Sequence, residues 1–301
     1  MKMIMINARI FACGLALSCA LLSESFADTA VGAHSVAVRI ALAGQQRMLS
    51  ERMAKSLCFA RSGVDPMQQV DRLQDAMQAF DAVHRGLVEG NDALELYVET
   101  DPSVLEAWEN LDILWFSLNA VYSRAIDGAP VSEREFSQVL GLTLEVDKRA
   151  NDLVAQIRHK YAEKLGSGGL GKAILLDLYD RQRMLSQKLS KEVCLLSRGH
   201  KIDETAAEMA ETLKLFDTSL RAFLEGMPIA GIPKPPSPAI AEALDRANEI
   251  WIGYRPVVSA LASGGAASLS DLARVAEETE AFLLEMNTVV KLYEDLQGLA
   301  S

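Results

Sequence analysis

Apolar residues recur three and four positions apart along most of the chain, the period of a helix with one buried face. Leu42, Leu49, Met53, Leu57 and Ala60 make one such stripe, and Leu178, Leu185, Leu189, Val193 and Leu196 make another. Almost no segment alternates with the period of two that a half-buried strand requires. The breaks carry helix punctuation. Ser62-Gly63 and Arg198-Gly199 end the first stretches, Gly90 and Gly226 stand where a helix C-terminus favours glycine, and Asp101-Pro102 and Ser237-Pro238 place a capping oxygen before a first-turn proline. Ser132 with Glu135, and Ser268 with Asp271, read as capping boxes opening the last helix of each half.

These signals come in pairs because the chain repeats itself. An offset of 136 residues lays Gln46-Arg47-Met48-Leu49-Ser50 on Gln182-Arg183-Met184-Leu185-Ser186. It also lays Cys58 on Cys194, Phe80-Asp81 on Phe216-Asp217, Trp115 on Trp251 and Asn151 on Asn287, without a gap. A unit of this length is a domain rather than a solenoid repeat, so two domains are expected, over 29–165 and 170–301. Each holds four helices joined by short loops, which favours antiparallel neighbours. The fold expected is all-α: two tandem up-down-up-down four-helix bundles arranged as a pseudo-dimer. Gly166-Ser167-Gly168-Gly169 reads as the linker that lets the bundles lie parallel and side by side.

Composition adds a compartment. Lys2 and Arg9 precede an apolar run from Ile10 to Leu22, and Ser25-Phe26-Ala27 supplies small residues for cleavage, so residues 1–27 read as a signal peptide. No later apolar run is long enough to span a bilayer, and a soluble periplasmic mature chain is expected. Removing the leader moves the formal net charge from -11 to -12, which opposes nucleic-acid binding. Cys13 and Cys19 leave with the leader, and Cys58 and Cys194 remain where disulfides persist. Parallel first helices related by a pseudo-two-fold axis bring equivalent residues together. The pair therefore reads either as a disulfide across the seam or as two small buried hydrophobes repeated with the core.

At 100° per residue Arg47 shares a stripe with Ser50, Glu51, Ala54 and Cys58, away from the core stripe. Arg183, Ser186, Gln187, Ser190 and Cys194 form its counterpart. The segments Ala43 to Lys55 and Asp180 to Lys191 closely resemble the first-helix box of the periplasmic N-terminal domain of type IV pilus chemotaxis transducers, which is similar in turn to the sensor domain of nitrate/nitrite kinases. The resemblance implies a sensory protein that binds a small anion or polar solute between its two first helices. It implies ligand contacts from Arg47 and Arg183, with Gln46, Gln182, Ser50 and Ser186 beside them, and a membrane receptor or signalling protein as partner. Gly44 fits the family pattern, whereas Asp180 replaces that glycine in the second copy and sets a carboxylate near the expected anion. The alternative is a structural or adaptor protein of the same compartment.

Catalytic signatures do not rise above chance. Gly166 to Lys172 has phosphate-loop spacing, but Ala173 stands where a magnesium-binding hydroxyl is needed and no strand precedes it. Asp81 and His84 are one isolated potential metal pair, and a bundle metal site needs matching ligands from other helices. No enzyme, cofactor or metal is therefore expected. Trp115 and Trp251 read as core anchors.

Overall fold

The computed structural model describes residues 17–296 except residue 95. Residues 1–16, the first part of the expected leader, and 297–301 lie outside the described residues. The chain forms α1 (Leu17–Arg61), α2 (Pro66–Glu89), α3 (Pro102–Ile126), α4 (Glu133–Ser197), α5 (Ile202–Glu225), α6 (Pro238–Ala262) and α7 (Leu269–Leu296). Short 3-10 turns at Asp92–Leu94 and Pro228–Ala230 follow α2 and α5. The fold is all-α, two four-helix bundles forming a pseudo-dimer. No helix of the described residues is long and apolar enough to cross a membrane.

The helix ends follow their capping chemistry. The Asp101 carboxylate accepts from the Ser103 and Val104 N–H groups at the start of α3, and Ser237 accepts from Ile240 N–H at the start of α6. Ser132 and Glu135 close a reciprocal box on α4; Ser268 and Asp271 do the same for α7 at 3.0–3.1 Å. Gly90 and Gly226 take φ of 80° and 79°, left-handed values that a side chain would strain. Each loop then closes with one antiparallel bridge, Asn91 to Leu96 and Met227 to Ile232, again 136 residues apart.

α4 is where the outcome departs from expectation. The glycine-rich segment is not an irregular linker; only Gly166 (φ 60°, ψ 178°) leaves helical geometry. That single residue folds α4 into a hairpin with limbs 133–165 and 167–197. Arg198 just beyond the second limb reaches Glu133 at the start of the first, 2.9 Å apart. The glycines cost helix propensity, about 1 kcal/mol each, but buried Leu165 and Ala173 anchor both sides of the turn in the core. The first limb runs antiparallel to α1 and completes the first bundle. The second runs parallel to α1 and opens the second bundle with α5, α6 and α7, so the bundles lie side by side.

Equivalent aromatic pairs fill the two cores. Trp115 packs on Phe80 with ring centroids 4.4 Å apart, and Trp251 on Phe216 at 4.5 Å. Both tryptophans are buried, as core anchors are.

Candidate functional site

The seam between α1 and the second limb of α4 is unusual for a helix-helix contact because its charged side chains are buried. Charged residues are seldom fully buried unless paired, yet Arg47 is 1 % exposed and Arg183 7 %. Each arginine reaches the fourth helix of its own bundle at the same repeat position: Arg47 Nη1 donates to Asn151 Oδ1 at 2.6 Å and Arg183 Nη1 to Asn287 Oδ1 at 2.7 Å. The asparagines hold the guanidinium groups on the seam side of both bundles.

The other face of each guanidinium meets a carboxylate, and both carboxylates come from the second copy. Arg47 Nη2 donates to Asp177 Oδ1, and Arg183 pairs with Asp180 one turn back on its own helix. The first copy has Ala41 and Gly44 at the equivalent positions. A Cβ on Gly44 would lie 3.0 Å from Arg47 Nη2 and 3.2 Å from an Asp180 oxygen, so this glycine lets α1 close over the cluster. Arg181 adds a third cation, its Nε 3.3 Å from Asp177 Oδ2 and its Nη2 3.1 Å from Asn151.

The electrostatics follow from burial and proximity. Burial alone would raise the Asp177 carboxyl, but Arg47 and Arg181 hold it below its ordinary value. Burial pushes Arg183 down to about 10; Glu294 partly offsets this, and repulsion from Arg47 adds to it. Arg47 Nη2 and the Asp180 oxygen both border Gly44, so the two arginine–aspartate pairs lie beside one another across the seam.

Further along the stripe Glu51 pairs with Lys191 at 2.6 Å, both buried. Ala54 is fully buried, and Cys58 is joined to Cys194 with Cα atoms 6.2 Å apart. Ser50 is buried on this stripe, and Ser186 Oγ turns back to Arg183 O at 2.7 Å. Gln46 and Gln182 point elsewhere, into their own bundles. Gln46 Nε2 meets His84 Nδ1 at 2.9 Å, and Gln182 Nε2 donates to Phe216 O at 3.3 Å and accepts from Ser219. His84 in turn faces Asp112 at 3.1 Å, so both ring nitrogens have a protein partner.

A third ionic group lies beside the seam. Lys55, wholly buried, and Arg52 both hold Glu280 of α7, Arg52 Nη2 at 2.6 Å. Burial lowers Lys55 to about 8, even against the pull of Glu280. Burial would raise Glu280, but Lys55 and Arg52 bring it down to about 2.

Asp177, Arg181 and the two asparagines are members of the site that the sequence did not single out. The asparagines had a signal, since the repeat register aligns them. Asp177 had a weaker one: it and Asp180 are three apart, on one face, and both replace residues without a carboxylate in the first copy.

A family profile described as PilJ, type IV pili methyl-accepting chemotaxis transducer N-terminal, matches residues 31–130 and 181–276, well over half of the chain. Each matched segment covers the arginine helix or most of its box and the two helices that follow. A search of curated proteins found no match.

Proposed function

This chain belongs to the family of the type IV pili methyl-accepting chemotaxis transducer N-terminal domain, and on that premise we propose that it is a periplasmic sensory protein. In this reading residues 1–27 direct export, and two fused domains, 29–165 and 170–301, recognise a small anion or polar solute between their first helices. The change passes to a partner, a membrane receptor or signalling protein. No catalytic step belongs to the reading.

The observation that carries it is the pair of buried arginines at equivalent positions, each steered by an equivalent asparagine and neutralised by Asp177 or Asp180. Two neighbouring guanidinium groups need negative charge between them, and a planar oxyanion matches their donor geometry. The aspartates supply that charge at rest. An incoming anion takes the guanidinium face from Asp177 and frees a carboxylate on α4, while the disulfide to α1 holds the far end of the seam. Motion then concentrates at the arginine end.

A second reading is favoured by the same aspartates. If they are a permanent stand-in for the anion, the pseudo-dimer is locked and the protein is a structural or adaptor protein. Thermal shift with nitrate, nitrite and small carboxylates separates the two. Sensing predicts a rise in melting temperature for wild type that disappears in Arg47→Ala/Arg183→Ala. The adaptor predicts no response in wild type and a gained nitrate response in Asp177→Ala/Asp180→Gly, which restores the residues of the first copy.

A further inference from the structure

We propose that a cleft at the Gly166 end of the first bundle binds a small organic monoanion, one carboxylate carried on an apolar or aromatic body. The inference does not depend on the seam: Arg39, on its floor, precedes Arg47 by two helical turns, roughly 12 Å along α1. The cleft has a volume of about 690 Å³ and is walled by Val36 and Arg39 of α1, Tyr97 and Pro102 around the α2–α3 loop, and Lys160 and Lys164 of the first α4 limb. That volume is within the range that small-molecule sites use.

The floor is charged but balanced. Arg39 donates to the Leu87 and Tyr97 carbonyls and faces Glu99 at 3.2 Å. Glu99 is 4 % exposed and accepts from the Thr100 and Asp101 N–H groups, each at 2.9 Å, and from the Tyr161 hydroxyl at 2.6 Å. Lys160 is matched by Asp101 at 2.5 Å. Lys164 pairs with no acid among the described residues; its ammonium lies 5.7 Å from the Tyr161 ring centroid, at the mouth. One cation therefore remains uncompensated above a set of neutralised ion pairs, on a protein whose formal net charge is -11. A single carboxylate satisfies it, and Val36, Pro102 and the Tyr97 ring give the rest of the ligand an apolar wall. A dianion would meet Asp101 and the Glu99 charge behind it.

The second copy serves as a control for the structural explanation. Its α5–α6 loop closes with the equivalent bridge, Met227 to Ile232, yet the counterparts of Arg39, Glu99, Asp101, Lys160 and Lys164 are Leu175, Pro235, Ser237, Leu296 and Ala300. Closing that loop on a bundle does not require the charged set. Its presence in one copy only points to a ligand of that copy.

Isothermal titration of the full exported protein with benzoate, hexanoate and the neutral analogue benzamide tests the site. We expect one benzoate or hexanoate per chain, no benzamide binding, and at least about tenfold weaker carboxylate binding in Lys164→Glu, the loss of one charged hydrogen bond. Lys164 is exposed, so the variant keeps its fold; circular dichroism checks this, and Tyr97→Ala provides a second, uncharged weakening. Three results overturn the proposal: no carboxylate binds, benzamide binds as well as benzoate, or binding survives Lys164→Glu. Binding that survives Lys164→Glu but is lost in Arg47→Ala belongs to the seam instead.

Discussion

The two copies agree in their cores and disagree at their seam. Phe80 and Trp115 pack in the first bundle as Phe216 and Trp251 do in the second, and Arg47 finds Asn151 as Arg183 finds Asn287. The carboxylates are one-sided: Asp177 and Asp180 have Ala41 and Gly44 as counterparts. Lys55 takes Glu280, but the residue equivalent to Glu280 is Leu144, and Lys191 takes Glu51 instead. A symmetric dimer of one domain would have to place every charge twice around its axis. Fusing two copies removes that restriction, so one copy can supply the anion that both arginines need.

The largest test removes what joins the copies at equivalent positions. The Cys58–Cys194 bridge spans 136 residues, and a loop of that size limits the unfolded chain strongly. Cys58→Ala/Cys194→Ala should lose about 4 to 5 kcal/mol in denaturant unfolding. A loss below about 1 kcal/mol would show that the charged seam holds the copies together without it.

Next comes the asymmetry of the arginines. Removing either strands a buried carboxylate, a loss of about 3 to 5 kcal/mol when no other partner remains. Asp177 keeps Arg181 when Arg47 is removed. Asp180, buried, has Arg183 as its ion-pair partner. Arg183→Ala should therefore destabilise more than Arg47→Ala, by about 1 kcal/mol or more in the same assay. Equal losses would mean that the aspartates are shared between the arginines rather than assigned one to each.

A third test uses acid. Glu280 titrates at about 2 in the folded chain against an ordinary 4.5, so its contribution is fully present above pH 4.5 and is lost as pH falls from 4.5 to 2. The linked stability is roughly 3 kcal/mol. Glu280→Gln should lower stability at neutral pH, leaving Lys55 buried without its carboxylate, and should flatten the acid limb in that window. An unchanged acid limb would place the pH dependence in other carboxylates.

How much of this was readable in the sequence depends on what each residue's role rests on. Capping boxes and terminal glycines act through neighbours a few positions away, so Ser132, Ser268, Gly90 and Gly226 were legible. The two arginines were legible through the family box. The Gly166 hairpin was not: glycine-rich sequence reads as a loop, and only the limbs on both sides, held by distant packing, keep Ser167 to Gly171 helical. The pairing of Arg47 with Asp177 joins residues 130 apart in the chain, and nothing local to either marks it. Gln46 and Gln182 sit in the family box but rotate into their own bundles, because a position next to the arginine lies about 100° away around the helix.

The smallest test is a single methyl group. Gly44 is the glycine of the box in the first copy, and its counterpart is Asp180. Gly44 is helical, so replacing it with alanine should gain stability, up to about 1 kcal/mol, from propensity alone. The new Cβ would instead meet Arg47 Nη2 at 3.0 Å and Asp180 Oδ2 at 3.2 Å. The arginine end is held by Asn151 and Asp177 and cannot swing away without breaking a buried pair, so the contact has to be relieved by moving α1 from α4. Overpacking of this kind costs about 1 to 3 kcal/mol, which exceeds the propensity gain. Gly44→Ala should therefore be neutral to destabilising by about 1 kcal/mol, whereas Gly141→Ala, a helical glycine with open space around its Cβ, should stabilise. If Gly44→Ala stabilises as much as Gly141→Ala does, α1 is free to move at the arginine end, and the seam is looser than its buried charges require.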